Sequence, residues 1–306
     1  MPAAHRSALV TGATGYIGAN VVDRLLADGW TVRVLTRDAA GLDGQPWASQ
    51  VDVVEGDAQD VEVLNRAADG VDVAWFLIHS MTGTYDYAVR DRTIATRFGQ
   101  ACRARGVSRI VYLGGLYPDD VALSPHLESR REVGQILVES GVPTAVLQAG
   151  IVVGAGSVSF DLLRTVTERL PVVVGPDWLA NRVQPIAIDD ALHYLVTAAD
   201  LPADVSRAFD IGGADALPYR DLIAVYAEVA GLRRRPILTV PVLLPRTAAL
   251  WAGILAPVPT SLASSLIESL MLDMVCREHD LDDLVGAPAG GVASFRDAVS
   301  AALSVG

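Results

Sequence analysis

The chain contains no lysine: all 24 of its basic residues are arginines. That absence excludes Schiff-base chemistry, a lysine-bearing P-loop and any Tyr-x-x-x-Lys dyad, because a guanidinium neither forms imines nor releases its proton near neutral pH. Cysteine is nearly as scarce. Cys102 and Cys276 stand in apolar surroundings without CxxC or Cys/His spacing, which excludes a disulfide framework and a zinc site and suits a reducing compartment. Positive charge is the minority sign. With 36 acidic residues against 24 basic, the net charge is −12 and no long basic tract is present, so nucleic acid is not an expected partner. Long apolar runs are also missing. Residues 247–267 are uncharged, but the strongly apolar part, 248–258, is too short to span a bilayer, and Pro257, Pro259 and three serines interrupt the rest of the stretch. Residues 1–6 are short and polar, unlike a secretory leader. These readings predict a soluble, cytoplasmic protein with no metal and no integral membrane segment.

Apolar residues are abundant, at 51% of 306, and 27 glycines are spread along the chain, so a sizeable core is available. The first half alternates short β-rich runs with helical stretches. Strands are predicted at 7–11, 31–36, 51–54, 71–78, 109–113 and 144–148, and helices at 16–28, 61–68, 86–105 and 128–140. Continuous β-rich runs separated by helices predict an α/β fold: a doubly wound parallel sheet, covered on both faces and joined by right-handed crossovers. After Gly150 the pattern loosens. Helices are expected at 157–170, at 191–199 from a cap at Asp189 or Asp190, and at 219–230, with a strand near 206–211 returning to the sheet. Prolines at 236, 241, 245, 257 and 259 divide the remainder into short elements.

The segment Thr11-Gly-Ala-Thr-Gly-Tyr-Ile-Gly18 falls between the first strand and the first helix. Glycine at 12 permits a tight turn, at 15 lets backbone approach a pyrophosphate, and at 18 lets helix and sheet pack closely, while the helix N-terminus offers free N–H groups to an anion. The spacing is GxxGxxG.

With TGATGYIG at 11–18, LTRD at 35–38, GDAQD at 56–60, FLIHSM at 76–81, HLESRRE at 126–132, LQAGIVVGAGS at 147–157 and PIAIDDALHYLV at 185–196, the chain resembles the short-chain dehydrogenase/reductase superfamily in its atypical NmrA-like branch. It is similar to a bacterial subgroup whose longer members carry a further C-terminal domain. The resemblance implies a Rossmann-type NAD(P)-binding core over 1–155, to which the strand near 206–211 belongs, and a smaller C-terminal substrate lobe over 156–306. It implies cofactor contacts at Gly12, Thr14, Gly15, Tyr16, Ile17, Gly18, Thr36, Arg37, Asp57, Ala58, Leu77 and Ile78. An NAD site places an acidic residue at the end of the second strand, whereas Thr36 and Arg37 stand there, and an arginine suits a 2′-phosphate, so NADP is expected over NAD. Asp57 matches the residue that contacts adenine.

The catalytic positions depart from the superfamily. Its Ser or Thr after the fifth strand is replaced by Leu113-Gly114-Gly115, and by spacing its Tyr and Lys fall on His126 and Arg130. His126 could serve as general acid or base, with Arg130 holding ribose hydroxyls. His79 follows an apolar strand and so emerges at the carboxyl edge of the sheet, where ligands of open α/β folds bind. Tyr117 is a third proton-donor candidate; His193 reads as a core histidine and Arg233–Arg235 as a solvated turn. Phe160, Trp178, Tyr226, Trp251, Met271 and Met274 are expected either to line an apolar pocket or to form the lobe's own core. The residues thus point to an NADP-dependent oxidoreductase acting on a small apolar carbonyl, enone or quinone-like substrate. A non-catalytic dinucleotide sensor and a non-redox isomerase or cyclase remain open, and the oligomeric state is not specified.

Overall fold

The computed structural model describes residues 6–78, 87–239, 268 and 270–305. Its centre is a parallel sheet of seven strands, β1 (Ser7–Thr11), β2 (Thr31–Thr36), β3 (Asp52–Glu55), β4 (Val73–Phe76), β5 (Arg109–Gly115), β6 (Thr144–Ala149) and, after four short strands, β11 (Arg207–Ile211). The spatial order is β11-β6-β5-β4-β1-β2-β3. Chain order therefore runs outward from β1 in one direction, then reverses at β4, and the crevice between the carboxyl ends of β1 and β4 is the switch point where such sheets bind ligands. The strand expected near 206–211 is β11, which lies parallel to β6 with Asp210 opposite Gln148.

Both faces of the sheet are covered. Helices α1 (Tyr16–Ala27) and α6 (Ile188–Thr197) close one face over Val10, Val22, Trp75 and Phe209. Helices α2 (Val61–Ala68), α3 (Tyr87–Ala104) and α4 (Pro125–Val138) close the other over Leu9, Phe76, Phe98 and Tyr112. Because both faces are buried, the strands read as unbroken apolar runs; β4 is Val-Ala-Trp-Phe with every residue buried. A third core lies past the carboxyl ends of β5 and β6. It gathers helix α5 (Val158–Arg169), α7 (Tyr219–Val229) and α9 (Phe295–Val305) around Phe160, Leu222, Tyr226 and Val299. Paired short strands frame it: β7 (Val152–Val153) with β10 (Ile186–Ala187), β8 (Val173–Gly175) with β13 (Ile237–Thr239), and β9 (Arg182–Val183) with β12 (Leu217–Pro218). One more short helix, α8 (Asp280–Val285), packs beside β11 and α6.

Two helix starts differ from expectation. Helix α4 begins at Pro125, three residues before the predicted start, because Ser124 caps it by accepting from the Leu127 N–H at 3.3 Å and proline suits the first helical position. Helix α6 begins at Ile188 directly out of β10, leaving no place for an Asp189 or Asp190 cap. The buried Asp190 carboxylate instead accepts from the Ala293 N–H at 2.8 Å, tying α6 to a segment 103 residues away. No helix among the described residues is long and apolar enough to cross a membrane.

Candidate functional site

The turn from β1 into α1 is shaped by the side chains it lacks. Gly12 has φ +75°, and a Cβ there would lie 2.6 Å from the Leu77 carbonyl oxygen at the end of β4. A Cβ at Gly18, within the first turn of α1, would run into the Gly12 carbonyl. Gly15 differs: a Cβ there would meet only the Gly12 oxygen, at 3.3 Å, among the described residues. Helix α1 starts there with no side-chain cap and no acidic residue in its first turn, which leaves the N–H groups of that turn and the positive end of the dipole for an anion. This bare, uncapped turn fits a dinucleotide pyrophosphate. The Thr11 hydroxyl fixes it to the sheet, donating to Trp75 O at 3.1 Å and accepting from the Leu77 N–H at 3.1 Å.

Only the backbone of Tyr16 faces that cradle. Its ring packs against the Gly154–Gly156 turn, where a Cβ at Gly154 would overlap the Tyr16 hydroxyl. Burial, reinforced by Asp189 and Asp161, pushes this phenol up to about 12. At the ends of β2 and β3, Thr36 is buried and donates to the Asp38 carbonyl at 3.0 Å, while Arg37 is exposed and forms no ion pair among the described residues. The Thr14 methyl approaches Gly41, so the glycine turn and the loop after β2 border one crevice. Asp57 accepts from the Gln59 N–H at 2.8 Å and sits 3.7 Å from the Arg90 guanidinium, with Ala58 buried beside it. The strand order β3-β2-β1-β4 thus brings the residues at 12–18, 36–37, 57–58 and 77–78 to one edge of the sheet.

A second space, a cavity of about 180 Å³, opens where the carboxyl ends of β5 and β6 meet the third core. Leu113, Leu116, Ile151, Leu162, Leu270 and Met274 give it apolar walls, and its polar lining is His126, Arg130, Ser159 and Tyr219. No carboxylate is among its described lining residues. The early start of α4 puts His126 in the first turn and Arg130 one turn later, on the same face. Arg130 donates to the Leu113 carbonyl at 3.1 Å, its guanidinium is 5.4 Å from the Tyr112 ring centre, and its own carbonyl accepts from the Tyr112 hydroxyl at 3.2 Å. Burial first, and the Arg130 charge second, lower the His126 imidazole to about 4, so it is uncharged at neutral pH.

Near the end of β11 a buried charge is fully matched. The Asp210 side chain is 1% exposed, and Arg277 meets both of its oxygens, at 2.8 and 2.6 Å, while also donating to Gln148 and Asp119 at 2.6 Å each. Arg277 thereby joins β11 and β6 to the segment that follows β5, and its hydrogen bonds to the Asp210 carboxylate raise the guanidinium further above its usual range.

Residues 12–150 match the model of a family described as NAD(P)H-binding. Two relatives extend past it. A ceramide reductase of Caulobacter vibrioides is 28% identical over 276 residues, 84% of this chain and 79% of its own. A (4-alkanoyl-5-oxo-2,5-dihydrofuran-3-yl)methyl phosphate reductase of Streptomyces griseus is 28% identical over 230 residues, 73% of each chain. In fold, the triphenylmethane reductase of Citrobacter sp. complexed with NADP(H) superposes with a TM-score of 0.72 at 18% identity, covering 97% of this chain and 99% of that one. The chain thus has a Rossmann-type α/β fold, and the relatives it resembles beyond residues 12–150 are reductases.

Of the expected catalytic residues, His126 and Arg130 meet in the cavity. His79 and Trp251 lie outside the described residues. Tyr117 is not brought there; its ring lies 5.5 Å from the Arg277 guanidinium instead. Of the expected apolar lining, Met274 reaches the cavity. Phe160 and Tyr226 pack on each other at 5.8 Å inside the third core, with the Tyr226 hydroxyl donating to Glu168 at 2.6 Å, and Met271 points out to solvent. Trp178 packs against the same core. His193 is a satisfied histidine, 2.8 Å from the Gly286 carbonyl. Sequence reasoning missed Tyr219, read only as the first residue of an amphipathic helix, and missed Ser159. The available signal was a hydroxyl at the mouth-facing end of a helix, which does not separate lining from cap.

Proposed function

We propose that the protein is an NADP-preferring reductase of a small apolar carbonyl, enone or quinone-like compound, with residues 1–155 mainly holding the cofactor and 156–306 mainly holding the substrate. The observation that carries this reading is the cavity at the β5–β6 edge: apolar walls, no carboxylate among the described lining, and one fixed cation. A polyanionic metabolite would find a single arginine there among aliphatic side chains, whereas an apolar ketone would find walls of its own kind. A relative named for ceramide, a lipid, supports the same class. The bare glycine turn would take the pyrophosphate, Asp57 and Ala58 the adenine end, and Arg37 the 2′-phosphate. A reduced nicotinamide, when bound, supplies the hydride. The protein's share is to exclude water, to hold developing negative charge with Arg130 and to move a proton. His126, uncharged at pH 7, moves it as a relay, taking a proton on one nitrogen as the other releases one.

A dinucleotide-binding sensor is the second reading, favoured by Leu113-Gly114-Gly115, which leaves no hydroxyl at the end of β5. One experiment separates the two. Purified protein should bind NADPH about 10- to 100-fold more tightly than NADH, the scale of one charge-assisted contact, and should oxidise NADPH in the presence of quinones or enones. Arg37→Ala should erase the preference and leave NADH affinity unchanged. Equal affinity for both cofactors would refute the NADP assignment, and tight binding without turnover across such acceptors would establish the sensor.

A further inference from the structure

Tyr219 is the buried cavity residue of the lobe whose polar group is tied to nothing among the described residues. It opens α7 behind Pro218, its N–H donates to the Asn181 carbonyl at 3.1 Å, and the residue is only 7% exposed. Its hydroxyl forms no hydrogen bond with any described residue. Nor is it walled in: among the described residues the wholly enclosed side-chain polar atoms without a partner belong to Arg90, Ser129 and Trp178. Tyr219 lines the cavity, and its hydroxyl is not among those enclosed atoms. A phenol in an apolar cavity with no partner among the described residues has its O–H available to a bound acceptor. Burial raises its pKa well above the usual tyrosine range, so it is a donor at every working pH. His126 and Arg130 project from α4, with Arg130 bonded to the end of β5, while Tyr219 stands with Leu270 and Met274 in the lobe.

We propose that the Tyr219 hydroxyl is the donor that holds the oxygen of the bound substrate, and that it selects apolar ligands carrying a single carbonyl over the same hydrocarbon without one. This rests on the reductase reading for the identity of the cavity as substrate space, but it is tested without the cofactor. The probes are 1-indanone and indane, which share a ring system and differ in the oxygen.

Titrated into the cofactor-free protein and followed by ligand-detected NMR, 1-indanone should bind about tenfold more tightly than indane. Tyr219→Phe should bind the two equally, with indane affinity unchanged. His126→Gln should keep the preference. Because the hydroxyl has no partner among the described residues, Tyr219→Phe should melt at the same temperature as the parent or slightly above it. In the unsubstituted protein, 1-indanone labelled with ¹³C at the carbonyl should shift downfield on binding, as a carbonyl does on accepting a hydrogen bond. A preference that survives Tyr219→Phe, one that vanishes in His126→Gln, or a bound carbonyl resonance matching that in an alkane solvent would each overturn the assignment. Failure of NADPH to bind would instead refute the reductase reading and leave the indanone preference standing.

Discussion

At the β1–α1 turn the chain makes room for a ligand by leaving side chains out, whereas at the β5–β6 edge it builds a cavity by bringing side chains in from six separate stretches of sequence. The first region acts through backbone: open N–H groups, a carbonyl packed under Gly18, and a Gly15 face that no side chain among the described residues covers. The second acts through side-chain chemistry, with an imidazole and a guanidinium on one wall and a phenol on another. A backbone site is damaged by adding atoms, and a side-chain site by removing them. The two should therefore fail differently under substitution.

The largest effect is expected at Gly18. A Cβ there meets the Gly12 carbonyl and lies 2.9 Å from the Ala13 Cα, all backbone, so Gly18→Val must push α1 off the sheet. A loss of about 3–4 kcal/mol in urea unfolding, with loss of NADPH binding, is expected. A fully stable Gly18→Val would break the contrast. Next is Arg277→Met, which leaves the buried Asp210 carboxylate without its cation and should cost about 3 kcal/mol while dinucleotide affinity is unchanged. If affinity fell with stability, the two regions would not be separable.

His126 sets a pH dependence of intermediate size. Its imidazole titrates near 4 in the folded chain against 6.5 for a free histidine. Between those values the unfolded chain binds more protons than the folded one, so stability falls as the pH drops from about 6.5 toward 4, by about 3 kcal/mol in full. His126→Gln should flatten this limb without changing stability at pH 7.5, as read from urea midpoints at the two pH values. An unchanged acid limb would place the histidine in solvent. The smallest effect on the fold is Gly15→Ala. The residue has an ordinary extended backbone, φ −88° and ψ 161°, and one neighbour at 3.3 Å, so stability should hold within about 0.5 kcal/mol while NADPH binds at least tenfold more weakly. Unchanged NADPH affinity would show that nothing approaches that face.

Much of the first region was legible in the sequence. Strands at 7–11 and 31–36 and the helix at 61–68 stand as periodicity predicts, because burial on both faces leaves unbroken apolar runs and the glycine turn is a local steric requirement. The helix carrying His126 starts three residues earlier than its apolar stripe predicts, since a Ser-Pro cap is a weaker signal than the stripe. Phe160 and Tyr226 were equally plausible as pocket or core, and packing against each other put them in the core.

Residue type and short-range spacing were enough to settle the parallel α/β sheet, the anion-ready turn at 12–18 and the exclusion of lysine chemistry, each of them a requirement met within a few turns of chain. Long-range packing alone put Tyr219 and Met274 on the same cavity as His126, set Tyr117 beside Arg277 instead, and committed the Asp190 carboxylate to Ala293 rather than to a helix cap. Those outcomes depend on which distant segments pack together, and on the need of each buried polar group for a partner, which no local spacing records.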